Sequence, residues 1–106
     1  MKMTNASVAI AVALMRQPHD HHWGYDLWKQ TGVRSGALYP ILARMLEQGW
    51  LDDGWEDVST IREKRPPRRY YVVTDEGMRQ LGAMARSAAT ETRFTRPASL
   101  GVQVAI

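Results

Sequence analysis

A mostly α fold completed by one small β-hairpin (α+β) is what this sequence predicts, on three observations. Between Arg34 and Leu51, the residues Leu38, Ile41, Leu42, Met45 and Leu46 recur at helical spacing and define one buried stripe. A short helical pattern and a turn containing Gly32 precede that helix. An acidic stretch follows it and leads into a loop carrying Arg62, Lys64, Arg65, Arg68 and Arg69. Helix, turn, helix and then a basic-tipped hairpin is the layout of a winged helix-turn-helix.

Size and composition narrow the choice further. The chain of 106 residues has room for one domain, and 44% hydrophobic with 24% charged residues is ordinary for a globular protein. The net charge of +3 says little by itself, but its distribution is uneven. Glu47 to Asp57 holds five acidic residues and no basic one, whereas Arg62 to Arg69 holds five basic residues against Glu63 alone. A basic block this dense is a footprint for a polyanion, set against the plainer reading of a solvated loop. With no cysteine in the chain, disulfides, thiolate nucleophiles and Cys-based zinc sites are excluded. The apolar run Val8 to Met15 is too short to span a bilayer. It sits at the lower edge of a signal-peptide core, and its removal would delete the first helix, so a cytoplasmic protein with no membrane partner is expected.

The elements follow in order. Ser7 is placed to cap a first helix reaching about Gln17, with Pro18 as its stop. That helix is apolar all round, so it must be covered on more than one side, and a second subunit is the expected source of part of the cover. Pro18 to His22 reads as a polar loop and Trp23 to Gln30 as a short helix, closed by a turn in which Gly32 takes positive φ. Ser35 is the expected cap of the next helix, Pro40 an awkward guest in it, and Gly49 its end. Trp50 to Asp57 reads as a strand interrupted or bulged near Asp53-Gly54, and Arg69 to Val73 as the clearest strand by propensity. Val58 to Arg68, stiffened by Pro66-Pro67, is the loop between them. Thr74 caps a last helix running to Ala89, weakened by Gly77 and Gly82. The expected organisation is therefore residues 1–89 as a domain with dimerising first and last helices, and residues 90–106 as a flexible tail.

Two groups of residues are candidates for contact with double-stranded DNA. The outer face of the third helix carries Gly36, Pro40, Ala43, Arg44 and Glu47, with Ala37 at its edge, and is slim enough to enter a major groove. There Arg34 and Arg44 are expected to meet phosphate or guanine, and Ser35 or Tyr39 to meet phosphate, with Ala37 and Pro40 completing the face. In the hairpin loop, Arg62, Lys64, Arg65 and Arg68 are expected to reach phosphates or the minor groove. Arg69, nearer the strand, is expected to pair with Glu56 or Asp57 instead. His19, Asp20, His21 and His22 are adjacent residues in one loop with no second cluster, so no metal site is expected. Trp23 and Trp28, with the first helix, are candidates to line an apolar dimer cavity. No nucleophile with base and orienter, no phosphate-cradling glycine loop and no paired carboxylates are present, so neither enzyme activity nor a cofactor is expected.

Trp23-Gly-Tyr-Asp-Leu-Trp28, Ser35-Gly-Ala-Leu-Tyr-Pro40, Leu46-Glu-Gln-Gly-Trp-Leu51, Trp55-Glu56 and Arg68-Arg-Tyr-Tyr-Val-Val-Thr-Asp-Glu-Gly77 together resemble the PadR family of bacterial transcriptional regulators, over roughly Ala6 to Leu81. The resemblance implies a homodimeric winged helix-turn-helix repressor on a palindromic operator, often released by a small aromatic ligand. It is to the short branch, in which a single last helix completes the dimer. Ligand-binding short members stack their ligands on an aromatic residue of that helix, and this chain has none there. The competing reading is a winged-helix protein-interaction module that does not bind DNA.

Overall fold

The computed structural model describes residues 1–91. The tail expected beyond Ala89 therefore lies outside the described residues from position 92 onward. Among the described residues the elements are four helices and a three-stranded antiparallel sheet: α1 (Asn5–Arg16), β1 (His22–Trp23), α2 (Gly24–Thr31), α3 (Ser35–Glu47), β2 (Leu51–Trp55), β3 (Arg69–Val73) and α4 (Asp75–Ala89), with a 3-10 turn over Val58–Thr60.

α1 starts earlier than the sequence reading placed it. Thr4 is the cap, and Ser7 is its reciprocal partner. The Ser7 N–H donates to Thr4 Oγ1 at 3.1 Å while the Thr4 N–H donates to Ser7 Oγ at 2.8 Å, so two otherwise orphaned donors are satisfied together. The apolar character of α1 on all sides has a source within the chain. It is the central helix, packed against α4, α2 and α3, and Ile10, Ala11 and Leu14 are fully buried. A second subunit is not needed to account for most of its pattern.

The sheet order is β1-β3-β2. β2 and β3 pair without interruption from Leu51↔Val73 to Trp55↔Arg69, so the bulge expected at Asp53-Gly54 is absent. Gly54 has a different cause. The Tyr70 ring lies across it, and a Cβ there would collide with the phenol. β1 falls where the sequence predicts the end of a loop and the start of a helix. It is a two-residue strand made by pairing with β3, His22↔Tyr71 and Trp23↔Tyr70, which no local pattern announces. Trp23 is consequently extended, and α2 begins one residue later than expected.

Gly32 (φ 74°) and Gly49 (φ 78°) both take the left-handed conformation that the turns after α2 and α3 require. Arg34, in extended backbone, is the N-cap of α3; Ser35 is the first helical residue and makes no capping bond. Pro40 lies inside α3 on its solvent side. The carbonyl it deprives of a partner belongs to Gly36, which is exposed with open space around it, so water can take the bond. Leu38, Leu42 and Met45 point inward and join Leu14, Leu27, Leu51, Tyr71 and Leu81 in one core. Thr74 caps α4 as expected, its Oγ1 accepting from the Gly77 N–H at 2.9 Å and donating to the Gly49 carbonyl at 2.6 Å. That second bond ties the start of α4 to the end of α3.

Candidate nucleic-acid interface

The same periodicity that buries Leu38, Leu42 and Met45 turns the other side of α3 outward. Arg34, Ser35, Gly36, Ala37, Tyr39, Pro40, Ala43, Arg44 and Glu47 are all exposed. Neither Arg34 nor Arg44 forms an ion pair among the described residues. Tyr39 is 48% exposed, and its phenol crosses to α2, where it lies so close over Gly24 that a Cβ would overlap it. That close approach fixes the ring between the two helices. Lys2, distant in sequence, borders the same groove as Pro40 and Arg44, a neighbour that no spacing rule identifies.

The five cations of the hairpin block do not behave alike. Arg62, Lys64 and Arg68 are exposed, and no ion pair holds their side chains among the described residues. Arg65 turns inward and meets Glu56 with both terminal nitrogens, Nη1–Oε1 at 2.7 Å and Nη2–Oε2 at 3.0 Å. This hydrogen-bonded guanidinium holds the Glu56 carboxyl down at about 2. Arg69 pairs with Asp53, not with Glu56 or Asp57: Nε–Oδ2 is 2.7 Å and Nη2–Oδ2 is 2.6 Å. The cause is the strand register, because Asp53 and Arg69 lie two pairs apart on the same face while Arg65 has claimed Glu56. Arg69 also covers the Tyr71 ring, 5.2 Å from its centroid.

Within the single chain, Trp23 and Trp28 border two clefts away from α1. Trp23 meets Tyr70 edge-on at 5.4 Å and borders a cleft of about 500 Å³ together with Tyr25, Tyr39, Arg68 and Tyr71. Trp28 leans on Tyr25 at 5.5 Å and borders a neighbouring groove of about 630 Å³ with Arg34, Ser35 and Tyr39. The apolar groove along α1 (Ala6, Ala9, Val12) is elsewhere. The histidine loop has structural roles. His21 stacks flat on Tyr70 at 4.0 Å, and buried His22 donates from Nε2 to the Gln17 carbonyl at 2.9 Å, its basicity lowered by burial. Among the described residues no cluster of histidine and carboxylate side chains is arranged to hold a metal ion, and no helix is long and apolar enough to cross a membrane.

Comparison with known proteins bears on what this arrangement serves. The family model described as the transcriptional regulator PadR-like family matches residues 13–83. No curated protein gives a significant match. Among solved structures, a PadR family transcription regulator from Clostridium difficile R20291 is 19% identical, with a TM-score of 0.64 over 92% of this chain and 97% of that one. A PadR family transcriptional regulator from Eggerthella lenta is 25% identical, with a TM-score of 0.62 over 93% of this chain and 86% of that one. The PcaV transcriptional regulator from Streptomyces coelicolor, solved with its natural ligand, is 24% identical, with a TM-score of 0.59 over 90% of this chain and 62% of that one. PadR family regulators are DNA-binding proteins and not enzymes. With the family model matching more than half its length and the fold shared with these regulators, the chain belongs to the PadR-like family of transcriptional regulators.

Proposed function

We propose that this protein is a cytoplasmic, homodimeric repressor that binds a palindromic operator, with α3 in the major groove and the 56–68 loop on the sugar-phosphate backbone. The observation that carries the reading is the outer face of α3. Its small residues Gly36, Ala37 and Ala43 are flanked by Arg34 and Arg44, which form no ion pair among the described residues, and the exposed Arg62, Lys64 and Arg68 lie on the loop beyond the sheet. Residues 1–89 act as the DNA-binding and dimerising unit. α1 and α4 form the dimer contact through surfaces left over from the intramolecular packing, such as Ala9 and Val12. A planar aromatic effector would lodge in the clefts bordered by Trp23 and Trp28, whose walls also contain Tyr25 and Tyr39.

Binding to operator and scrambled duplexes over a range of salt concentrations tests the reading. Specific binding should weaken steeply with salt through counterion release. Arg44→Ala should cost about 1–3 kcal/mol on the operator alone if it reads a base. A protein with no salt-sensitive affinity for any duplex would be an interaction module instead.

A further inference from the structure

We propose that Glu56 and Arg65 form a latch that sets the shape of the wing and withdraws Arg65 from DNA, so that Glu56 is a positioning residue for the remaining wing cations. The proposal rests on the DNA-binding reading and refines which residues of the basic block act in it.

A carboxylate at the root of a DNA-facing loop should be a liability, because it repels phosphate. Here its charge is used locally. Glu56 receives both terminal nitrogens of Arg65 and, on Oε1, the backbone N–H of Arg68 at 3.2 Å. Its own N–H donates to the Arg68 carbonyl at 2.8 Å. One side chain thus ties down the returning limb of the loop at two points, residue 65 and residue 68 at its base. Glu56 and Arg65 are each only 22% exposed in their side chains, unlike the exposed cations around them. The Arg65 Nε is buried and pairs with the Glu63 carboxylate, Nε–Oε2 at 3.5 Å. The Arg65 guanidinium therefore faces two carboxylates of its own loop, Glu56 at its terminal nitrogens and Glu63 at Nε, which commits it to the loop and not to phosphate.

Two consequences follow. The wing contributes three phosphate-seeking cations, Arg62, Lys64 and Arg68, not four. Their spacing depends on Glu56, since without the latch the 56–68 segment is closed only by its base and must be ordered by DNA. A bidentate pair is also directional, so lysine at position 65 would not reproduce it.

The probe is a fluorescently labelled random-sequence duplex, titrated at several salt concentrations. Arg68→Ala should flatten the salt slope by about 0.9, the value of one phosphate contact. Arg65→Gln should leave the slope unchanged yet weaken binding about fivefold, the scale of a good partly shielded ion pair. Glu56→Gln, which keeps an acceptor for the Arg68 N–H but loses the charge, should weaken binding by about the same factor, and Glu56→Gln with Arg65→Gln should cost no more than either change alone, since cycles of this kind isolate the pair term. In the free protein, Arg65→Gln should also return the Glu56 carboxyl toward ordinary carboxylate titration, read by NMR. A slope that flattens in Arg65→Gln as much as in Arg68→Ala overturns the latch, because Arg65 then touches phosphate. A double variant that folds like the parent yet loses affinity by the product of the two single effects overturns it too, because the two side chains then act independently. If the parent binds no duplex, the DNA reading and the wing's role in it fall together, while the free-protein titration still decides whether the latch forms.

Discussion

Gly77 and Gly82 sit one and a half turns apart on α4, and the same substitution should move stability in opposite directions at the two sites. A Cβ at Gly77 would run into the Trp50 carbonyl oxygen, stand 2.9 Å from the carbonyl carbon and 2.9 Å from Val73 Cγ1. The obstacle is backbone at the entry to β2, and it cannot rotate away. The carbonyl in question accepts the Thr74 N–H at 3.1 Å, so relief by shifting α4 stretches that bond and the cap beside it. Overpacking against a fixed neighbour costs about 1–3 kcal/mol, a lost hydrogen bond adds about 1, and helix propensity returns just under 1. Gly77→Ala should therefore destabilise by about 1–3 kcal/mol. At Gly82 the nearest atoms are Arg86 Nη1 at 3.2 Å and Met15 Cε at 3.7 Å, both ends of flexible side chains. Gly82→Ala should then stabilise by up to about 1 kcal/mol. For a domain of this size, 1 kcal/mol shifts the unfolding midpoint by roughly 4–8 °C, so the variants should melt on either side of the parent. Thermal unfolding followed by circular dichroism, at fixed protein concentration, reads both. A Gly77→Ala variant as stable as the parent would refute the claim that the α4–β2 contact excludes a methyl group.

Three further outcomes follow from the packing and the charges. Leu42, fully buried at the centre of the core, should cost about 2–5 kcal/mol when cut to alanine, measured by urea denaturation. His22 has its basicity lowered by burial, so the unfolded chain binds its proton more readily than the native one. Its contribution is full above the ordinary histidine range and is lost as pH falls through it, and His22→Gln should flatten the fall in melting temperature between pH 7.5 and about 5. Glu56, lowered to about 2, contributes above the ordinary carboxylate range and loses its contribution as pH falls toward 2, so NMR titration should find it still ionised at pH 4.

Much of this architecture was legible because local chemistry and tertiary packing agree. The strand over 69–73, the Thr74 cap, the two positive-φ glycines and the α3 stripe all declare themselves in short windows. What escaped was set at a distance. β1 exists only because β3 offers His22 and Trp23 a partner, and Ser7 yields its capping role because Thr4 is there to share it. The all-apolar α1 reads equally well as a helix awaiting a second subunit or as one wrapped by its own chain; here α2, α3 and α4 wrap it. In the candidate site, the exposed face of α3 follows from periodicity alone. The partition of the basic block does not. A run of arginines cannot reveal that one faces Glu56 and another Asp53, because strand register and loop path decide which carboxylate each one meets.

β3 is the middle strand, with the 51–55 strand on one edge and the short 22–23 strand on the other. The chain leaves that short strand directly into α2, so the helix-turn-helix is riveted to the same plank that carries the wing. The two parts that would grip DNA act like the jaws of a fixed caliper, with their gap preset in the folded protein. Such a tool accepts one groove width without being bent to it, so its discrimination should lie more in whether a duplex has the right shape than in how the protein adjusts to it.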